Sequence, residues 1–504
     1  MYHKVKQYLW YSDTITIASC ITRKLHTVPY LAMILNMKYF LSACLLLLLD
    51  CSGTWCQTDQ AMLNKQKNAP AVTIRKIFIN GNKVTRRSVI LREIDIEEGD
   101  SIPVDSISAI IGETRLRLFN LQLFNEVDQH TVTDTGGVID WYISVKERWY
   151  IIPAFSIQYA DQNFNTWFVK EHHDLRRITG GLTVTDKNFR GNLEQLAVTI
   201  QEGYSQGLGL SYMRPYLDKN QTKGLGLSIN VSQGSQTYYN TDSNKLVYTG
   251  SYSGPIIWRR LDGGIFYIYR PAYASKHTFR LGYTSYSVND TILRLNPDYF
   301  TNHSDRAVYL QLSYRYELNL VDNWNYSLWG EKLIAAGVVR QGFEGISFQS
   351  FAKIEAGVFR SPYPSWYWSA IFRGRLMYPQ DQPYYFRNGL GNQTDYVRGY
   401  EYYIIDGTDY GVLRLDLKKE VFNKTWLLPV NYFTAIPLRV YPKIFADAGY
   451  IDNQVPGNSF LNNRLLYSVG VGVDIVTLYD IKFRFEFAWN HLGQNGLYLH
   501  FNSE

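Results

Sequence analysis

Cysteine is missing from most of this 504-residue sequence: Cys20, Cys44, Cys51 and Cys56 are the four present, and all precede residue 57. A disulfide framework over the rest of the chain is therefore excluded. Charged side chains make up only 19%, against roughly 25% in ordinary soluble domains. Beyond residue 56 no apolar run reaches the roughly 18 residues that a membrane-spanning helix needs. Net charge is also small. Removing residues 1–56, with five Lys/Arg and two Asp/Glu, turns 51 against 45 into 46 against 43, so +6 becomes +3. That is too little for a nucleic-acid partner. What the sequence has instead is aromatics at 15%, including 41 tyrosines.

Around Met37 the chain reads "MKYFLSACLLLLLDCSGTWCQ": a basic start at Lys38, an apolar core from Tyr39 to Leu49, then smaller residues before Gln57. This is the pattern of a secretory signal peptide over 37–56, with Thr54 and Cys56 at the small-residue cleavage positions. Asp50 before Cys51 and Trp55 before Cys56 argue against a lipoprotein signal. Translation is expected to start at Met37, leaving residues 1–36 as a mis-assigned extension. A polar linker follows over 57–71.

Residues 72–149 read as a small domain. "VTIRKIFINGN" alternates Val72, Ile74, Ile77 and Ile79 and stops at the turn signal Asn80-Gly81-Asn82. "VTRRSVILREI" has helical spacing, and Gly99-Asp100 closes it. Pro103 is expected to open a second helix with Val104, Ile107, Ile111 and Leu118 on one face. The strands "FNEVDQHTV" and "GVIDWYISVKERW" complete a βααββ order. The stretch resembles a POTRA (polypeptide-transport-associated) domain, through "IRKIFINGNKVT", "RLFNLQLFNEVDQHTV" and "IDWYISVKERW". The resemblance implies a strand edge that pairs with an extended client or with periplasmic or lipoprotein partners.

From residue 150 to 504 the period is two. In "IKFRFEFAW", Ile481, Phe483, Phe485, Phe487 and Trp489 point one way and Lys482, Arg484 and Glu486 the other. The same alternation recurs in "EQLAVTIQ", "AVYLQLSYRYEL" and "LRLDLKKE". Such recurrence over about 350 residues predicts a mainly β chain whose strands close into one transmembrane antiparallel barrel, because lipid tolerates no open sheet edge. "TDSNK" and "NDTILRLNPDYFTNHSD" read as polar loops. Near the end, "QNGLYLHF" carries Gln494, Gly496, Leu499 and Phe501 in the pattern of an outer-membrane assembly signal.

"DYVRGYEYY" places an Arg–Gly pair inside a tyrosine run. With Val397, Arg398, Gly399 and Tyr400, it resembles the inward-folded V-R-G-F/Y loop of the BamA/TamA family. "FADAGY" resembles that family's F-x-D-x-G strand through Phe445, Asp447 and Gly449, and "GGLTVTDKNFRGN" its early strands. An arginine tucked into a barrel must be paired, and Asp447 and Glu420 are the expected acceptors. Gly399 lets the backbone turn.

The family resemblance implies about 16 strands and a bacterial outer-membrane location with the POTRA-like domain in the periplasm. It also implies unfolded outer-membrane or secreted polypeptides as clients, lipid as surroundings, and no cofactor, metal or enzymatic activity. Pro153 in the expected first strand, and Gly493 and Gly496 in the last, suit a weak seam between the two. A porin and a two-partner secretion transporter are the alternatives. The one enzyme-like cluster, His172-His173-Asp174, reads as a charged loop, since the chain has only nine histidines.

Overall fold

The computed structural model describes residues 71–134, 137–159, 167, 172–218, 220, 222–249, 254–391, 395–427, 435–477 and 481–500. The signal peptide expected at 37–56, the extension before it, the linker up to residue 70, and Phe501 lie outside the described residues.

The small domain runs β1 (Ala71–Asn80), α1 (Arg87–Leu91), β2 (Ser101–Pro103), α2 (Ile107–Asn120), β3 (Phe124–Thr133) and β4 (Val138–Glu147). Its sheet has the order β2-β1-β4-β3, with β1 parallel to β4 and β3 at one edge. A bulge between Ile74 and Lys76 switches the parity of β1, so Val72 and Ile74 point inward and then Ile77 does. These pack with Ile90, Leu118, Phe124, Ile139 and Trp141 into one core. The βααββ expectation missed β2. The residue before a proline is pushed towards extended backbone, so Pro103 ends a short strand and caps a 3-10 turn at Val104–Ser106 instead of opening the helix. Val104 accordingly stays 41% exposed, and the apolar face of α2 begins at Ile107.

The rest of the chain supplies β5 (Ile151–Tyr159), β6 (Ile178–Phe189), β7 (Glu194–Gly203), β8 (Ser205–Arg214) and β9 (Lys223–Gly234). A hairpin of β10 (Tyr238–Asp242) and β11 (Lys245–Tyr248) leads into β12 (Trp258–Tyr269) and β13 (Ser275–Val288). After α3 (Asp290–Leu295) come β14 (Arg306–Val321), β15 (Gly330–Glu344), β16 (Phe348–Tyr363) and β17 (Trp366–Tyr378). The series ends with β18 (Asp409–Lys419), β19 (Phe422–Leu427), β20 (Ala435–Asp452), β21 (Leu465–Val476), β22 (Lys482–Asn490) and β23 (Asn495–His500).

All of these strands except the β10–β11 hairpin form a closed antiparallel barrel in which β23 neighbours β5. β18 and β19 both pair with β20, on its residues 443–452 and 435–440, so they occupy one strand position. Among the described residues, seventeen segments therefore make sixteen positions around the wall. The break has a local cause: Pro442 has no N–H to offer the ladder there, and residues 419–421 face only 441 and 442.

Parity sorts the wall. Phe279, Leu281, Leu312, Val469 and Val471 are exposed on the outside, while Arg414, Lys418, Lys443, Asp447 and Asp474 are buried inside. Trp366, Phe422 and Trp426 sit on the outer surface near the end that faces the small domain. An outward apolar belt with aromatic residues near its rim and a charged interior is the make-up of a membrane-spanning barrel.

The end of the barrel facing the small domain is held by that domain. Glu93, fully buried, takes both Nη1 and Nη2 of Arg270 in the β12–β13 turn at 2.8 and 3.2 Å. Asn120 Nδ2 donates to Tyr273 Oη at 2.8 Å. At the end of β6, Asn188 Nδ2 donates to Thr85 Oγ1 at 2.9 Å, and in the turn that follows the Gly191 carbonyl accepts from the Arg86 amide. Gly191 is required at that point: its φ is +75°, and a Cβ would lie 2.1 Å from the Val84 carbonyl oxygen.

The far end is roofed. "NDTILRLNPDYFTNHSD", expected as a polar loop, contains α3 and buries Tyr299 and Phe300 against Tyr286, Tyr309, Tyr384 and Phe386. "TDSNK" is the tip of the β10–β11 hairpin, and its Asn244 is fully buried. Asn244 Oδ1 accepts from the Phe460 and Leu461 amides, while its Nδ2 donates to the Ile404 carbonyl and to Ser459 Oγ.

Candidate functional site

Val397–Tyr400 form a tight turn in which the Tyr400 amide donates to the Val397 carbonyl at 3.1 Å. Gly399, third in the turn, has φ +87°, which is the sign a type II turn demands there. That turn aims Arg398 at Asp447 on β20. Asp447 accepts from the Arg398 backbone amide at 3.0 Å, from Nε at 2.9 and 3.1 Å, and from Nη2 at 2.5 Å. Asp416 on β18 and Glu486 on β22 accept from Nη1 at 2.7 and 3.2 Å. The Phe445 ring lies 4.0 Å under the guanidinium. Arg398 is 4% exposed.

The charges continue outward from there. Arg414 Nε lies 3.8 Å from Asp447, Lys443 bridges Glu486 and Asp474 at 2.6 Å each, and Lys418 reaches Asp474 at 3.3 Å. Four cations thus interleave with four carboxylates. Removing one member of such a buried set leaves an uncompensated charge costing about 3–5 kcal/mol. Tyr326, in the β14–β15 turn, folds into the same lumen and donates to Asp474 at 3.0 Å.

The tyrosines of the run have a second task. Asn490 Nδ2 donates to the Gly399 carbonyl at 2.7 Å, and Tyr400 Oη donates to the Tyr467 carbonyl at 3.1 Å and bonds His491 Nδ1. Tyr403 Oη is hydrogen-bonded to Gln494. Tyr402 packs on Tyr498, and Tyr396 stacks on His500 with Oη 3.3 Å from Nδ1. Gln494 lies in the turn before β23, and Tyr498 and His500 lie on β23 itself. The loop therefore grips the strand next to β5.

Several sequence expectations change. Glu420 is not an acceptor for Arg398: it accepts from Tyr441 Oη at 2.8 Å and from Asn423. It keeps the inward parity, but Arg414 is the residue opposite Asp447. Six residues along a strand is about 20 Å, too far for the pair. Asp416, two residues from Arg414, is close enough. Gly493 does not loosen the last strand, because it lies in the turn with φ +75°. At Gly496 a Cβ would lie 2.8 Å from Tyr498 Oη, so that glycine makes room for the ring.

Gly449 makes room likewise, for Val397. Pro153 sits in β5 opposite Val184, and Leu499 sits on β23 opposite Phe485. Asp174 pairs with Arg176, and the His173 ring lies edge-on to Trp167. Asp416 and Glu486 went unnamed as partners, although period-two parity had put both on the inner face.

A small α/β domain docked on a sixteen-position barrel, with one loop threaded inside, defines a two-part membrane barrel. Residues 72–148 match the model of the POTRA family, described as a surface antigen variable number repeat. CdiB from Escherichia coli aligns over 86% of this chain and 74% of its own, at 11% identity and a TM-score of 0.52. BamA from Haemophilus ducreyi lacking POTRA domains 1–3 aligns over 85% and 83%, at 14% identity and a TM-score of 0.49. No curated protein matches the chain in sequence. In fold the chain is similar to CdiB: a closed antiparallel barrel, here carrying a POTRA domain over residues 72–148.

Proposed function

We propose that the chain inserts client polypeptides into the bacterial outer membrane, or passes them across it, through a seam between β5 and β23. The POTRA domain would lie in the periplasm. The observation that carries this reading is the clamp: the loop fixed to Asp447, Asp416 and Glu486 also holds β23 through Tyr396, Tyr402 and Tyr403. A loop that braces one side of a seam can set how readily that seam opens. Lateral opening would expose the edge of β5, where Phe155 is already 83% exposed, to an incoming strand. Client folding would supply the energy, since neither reading calls on a nucleotide. The edge of β3 is the natural place for an extended client or partner chain to pair.

The deciding experiment is depletion of the protein followed by quantitative proteomics of outer membranes and culture supernatant. A broad fall in barrel proteins supports a general insertase. Loss of one or two surface or secreted proteins supports a dedicated translocator. Unchanged proteins with altered small-solute uptake would overturn both in favour of a porin. The roof closed by Asn244 favours the first two.

A further inference from the structure

Above the Arg398 network, the lumen holds a second cluster of cations with a different charge balance. A cavity of about 290 Å³ lies between the 379–408 loop and the far ends of β12 and β14–β17. Arg260, Arg340, Lys353 and Arg375 line it, against a single lining carboxylate, Asp395. Lys353 is paired with Asp395 at 3.3 Å, and Arg260 with Asp262, two residues along the same face of β12, at 2.5 Å.

Arg340 and Arg375 are held by neutral groups. Arg340 donates to Gln311 and Gln349 at 2.8 and 2.6 Å and lies over the rings of Tyr309 and Phe351. Arg375, 8% exposed, donates to the carbonyls of Thr408 and Gly407 at 2.8 and 2.7 Å and lies over Tyr410. These contacts orient the two guanidinium groups without neutralising them. Against Asp395, Asp262 and Asp409, whose carboxylate takes the Met377 amide beside Arg375, the four cations leave a net +1. Arg398, in the same lumen, has three carboxylates around it.

A buried cation is costly to leave without a counter-charge, and the planar guanidinium fork matches a phosphate oxygen pair. We infer that this cavity is an anion site for a phosphate-class dianion, held by Arg340 and Arg375 and closed above by Tyr385 and Phe386. A phosphate monoester carries a charge of about −1.5 to −2 at neutral pH and supplies the negative charge that these walls lack. The ligand is either free phosphate or the phosphate of a sugar phosphate. The inference is independent of the client-handling reading, which rests on other residues.

The test uses the full chain purified in detergent, titrated calorimetrically with inorganic phosphate and with glucose 1-phosphate at ionic strength matched with chloride. Saturable one-site binding is expected, weakened at least about tenfold in Arg340→Gln and in Arg375→Gln. Arg315→Gln, which removes an inward charge paired with Glu317 elsewhere, should leave it unchanged. Glucose 1-phosphate binding about tenfold tighter than phosphate supports the site with a sugar phosphate as its ligand, and equal affinities support it with the free anion. The difference in migration between heated and unheated barrel on a gel checks that each variant is folded.

A readout free of variants is the thermal midpoint of the unmodified protein, which a ligand of the folded state must raise. No binding and no rise in midpoint with millimolar levels of either probe overturns the inference. An equal loss in Arg315→Gln also overturns it, since the lumen charge as a whole would then be responsible.

Discussion

Val397 occupies the space that any side chain at position 449 would need: a Cβ on Gly449 would lie 2.4 Å from Val397 Cγ2. The loop and the β20 wall are thus fitted to each other through apolar shape as well as charge. Gly449→Ala should destabilise the barrel by about 1–3 kcal/mol through overpacking, and adding Val397→Ala should recover much of that loss. A double-mutant cycle on urea unfolding of the folded barrel reads the coupling. Strictly additive effects would mean that the loop does not seat against β20.

Arg398→Ala leaves Asp447, Asp416 and Glu486 facing one another, a change worth about 3–5 kcal/mol for a buried set. The expected result is a folded barrel whose residues 397–403 lose amide-exchange protection, together with loss of the depletion-rescue activity. Arg398→Lys should rescue poorly, because a lysine cannot reproduce the fork that grips Asp447. Full activity in Arg398→Ala would remove the loop from the mechanism.

Glu93 and Arg270 fix the small domain to the barrel. Glu93→Ala leaves Arg270 without its carboxylate and should release the domain, at about 3–5 kcal/mol for a broken buried pair. Spin labels on β3 and on the β15–β16 turn should give a single narrow distance in the parent protein and a broad distribution in the variant. Labels go to the introduced cysteines alone when the protein is made from residue 57 onward, since Cys56 is the last cysteine of the sequence.

The same docking contact should be sensitive to alkali. Burial, and then the neighbouring Glu93 carboxylate, push the Tyr216 phenol up to about 12, against about 10 for a free tyrosine. A raised phenol favours the neutral form in the docked state. Its contribution is complete below pH about 10 and is lost as pH rises from there towards 12. The spin-label distance should broaden over that window, and Tyr216→Phe should remove this component of the pH dependence.

Asn244 joins the β10–β11 hairpin to two other loops through four hydrogen bonds. Asn244→Ala should loosen the roof, so single-channel recordings should pass from small flickering openings to larger and longer ones. A wide, steady pore in the parent protein would contradict a roofed lumen.

Period-two alternation made the barrel legible, because residues such as Lys482, Arg484 and Glu486 can only face away from Phe483 and Phe485. The resemblance of "FADAGY" to the F-x-D-x-G strand pointed to Asp447 for Arg398. Parity reports a face and not a height, and that is why Glu420 was paired with Arg398 in place of Asp416 and Glu486. Height along the wall follows from strand register, which depends on turns and on breaks such as the one at Pro442. The docking surface was harder to read. Asn188, Gly191 and Arg270 look like turn residues, and nothing local in the sequence says that a second domain lies against them. The roof was half-legible, since Tyr299 and Phe300 are aromatic residues inside an otherwise polar loop.

Only Arg148, Trp149 and Tyr150 separate the end of β4 from the start of β5. Those three are tethered as well: the Arg148 amide donates to the Leu123 carbonyl, and the Tyr150 carbonyl accepts from the Lys187 amide. Three residues fully extended span about 10 Å, so the joint has almost no slack. Mechanically it is a crank and not a rope. Any tilt of the small domain is delivered as torque to β5, the strand beside the closure, as well as to the β6–β7 and β12–β13 turns on which the domain rests. Force applied to the small domain is thereby passed to the side of the cylinder that begins at β5, and not spread evenly around it.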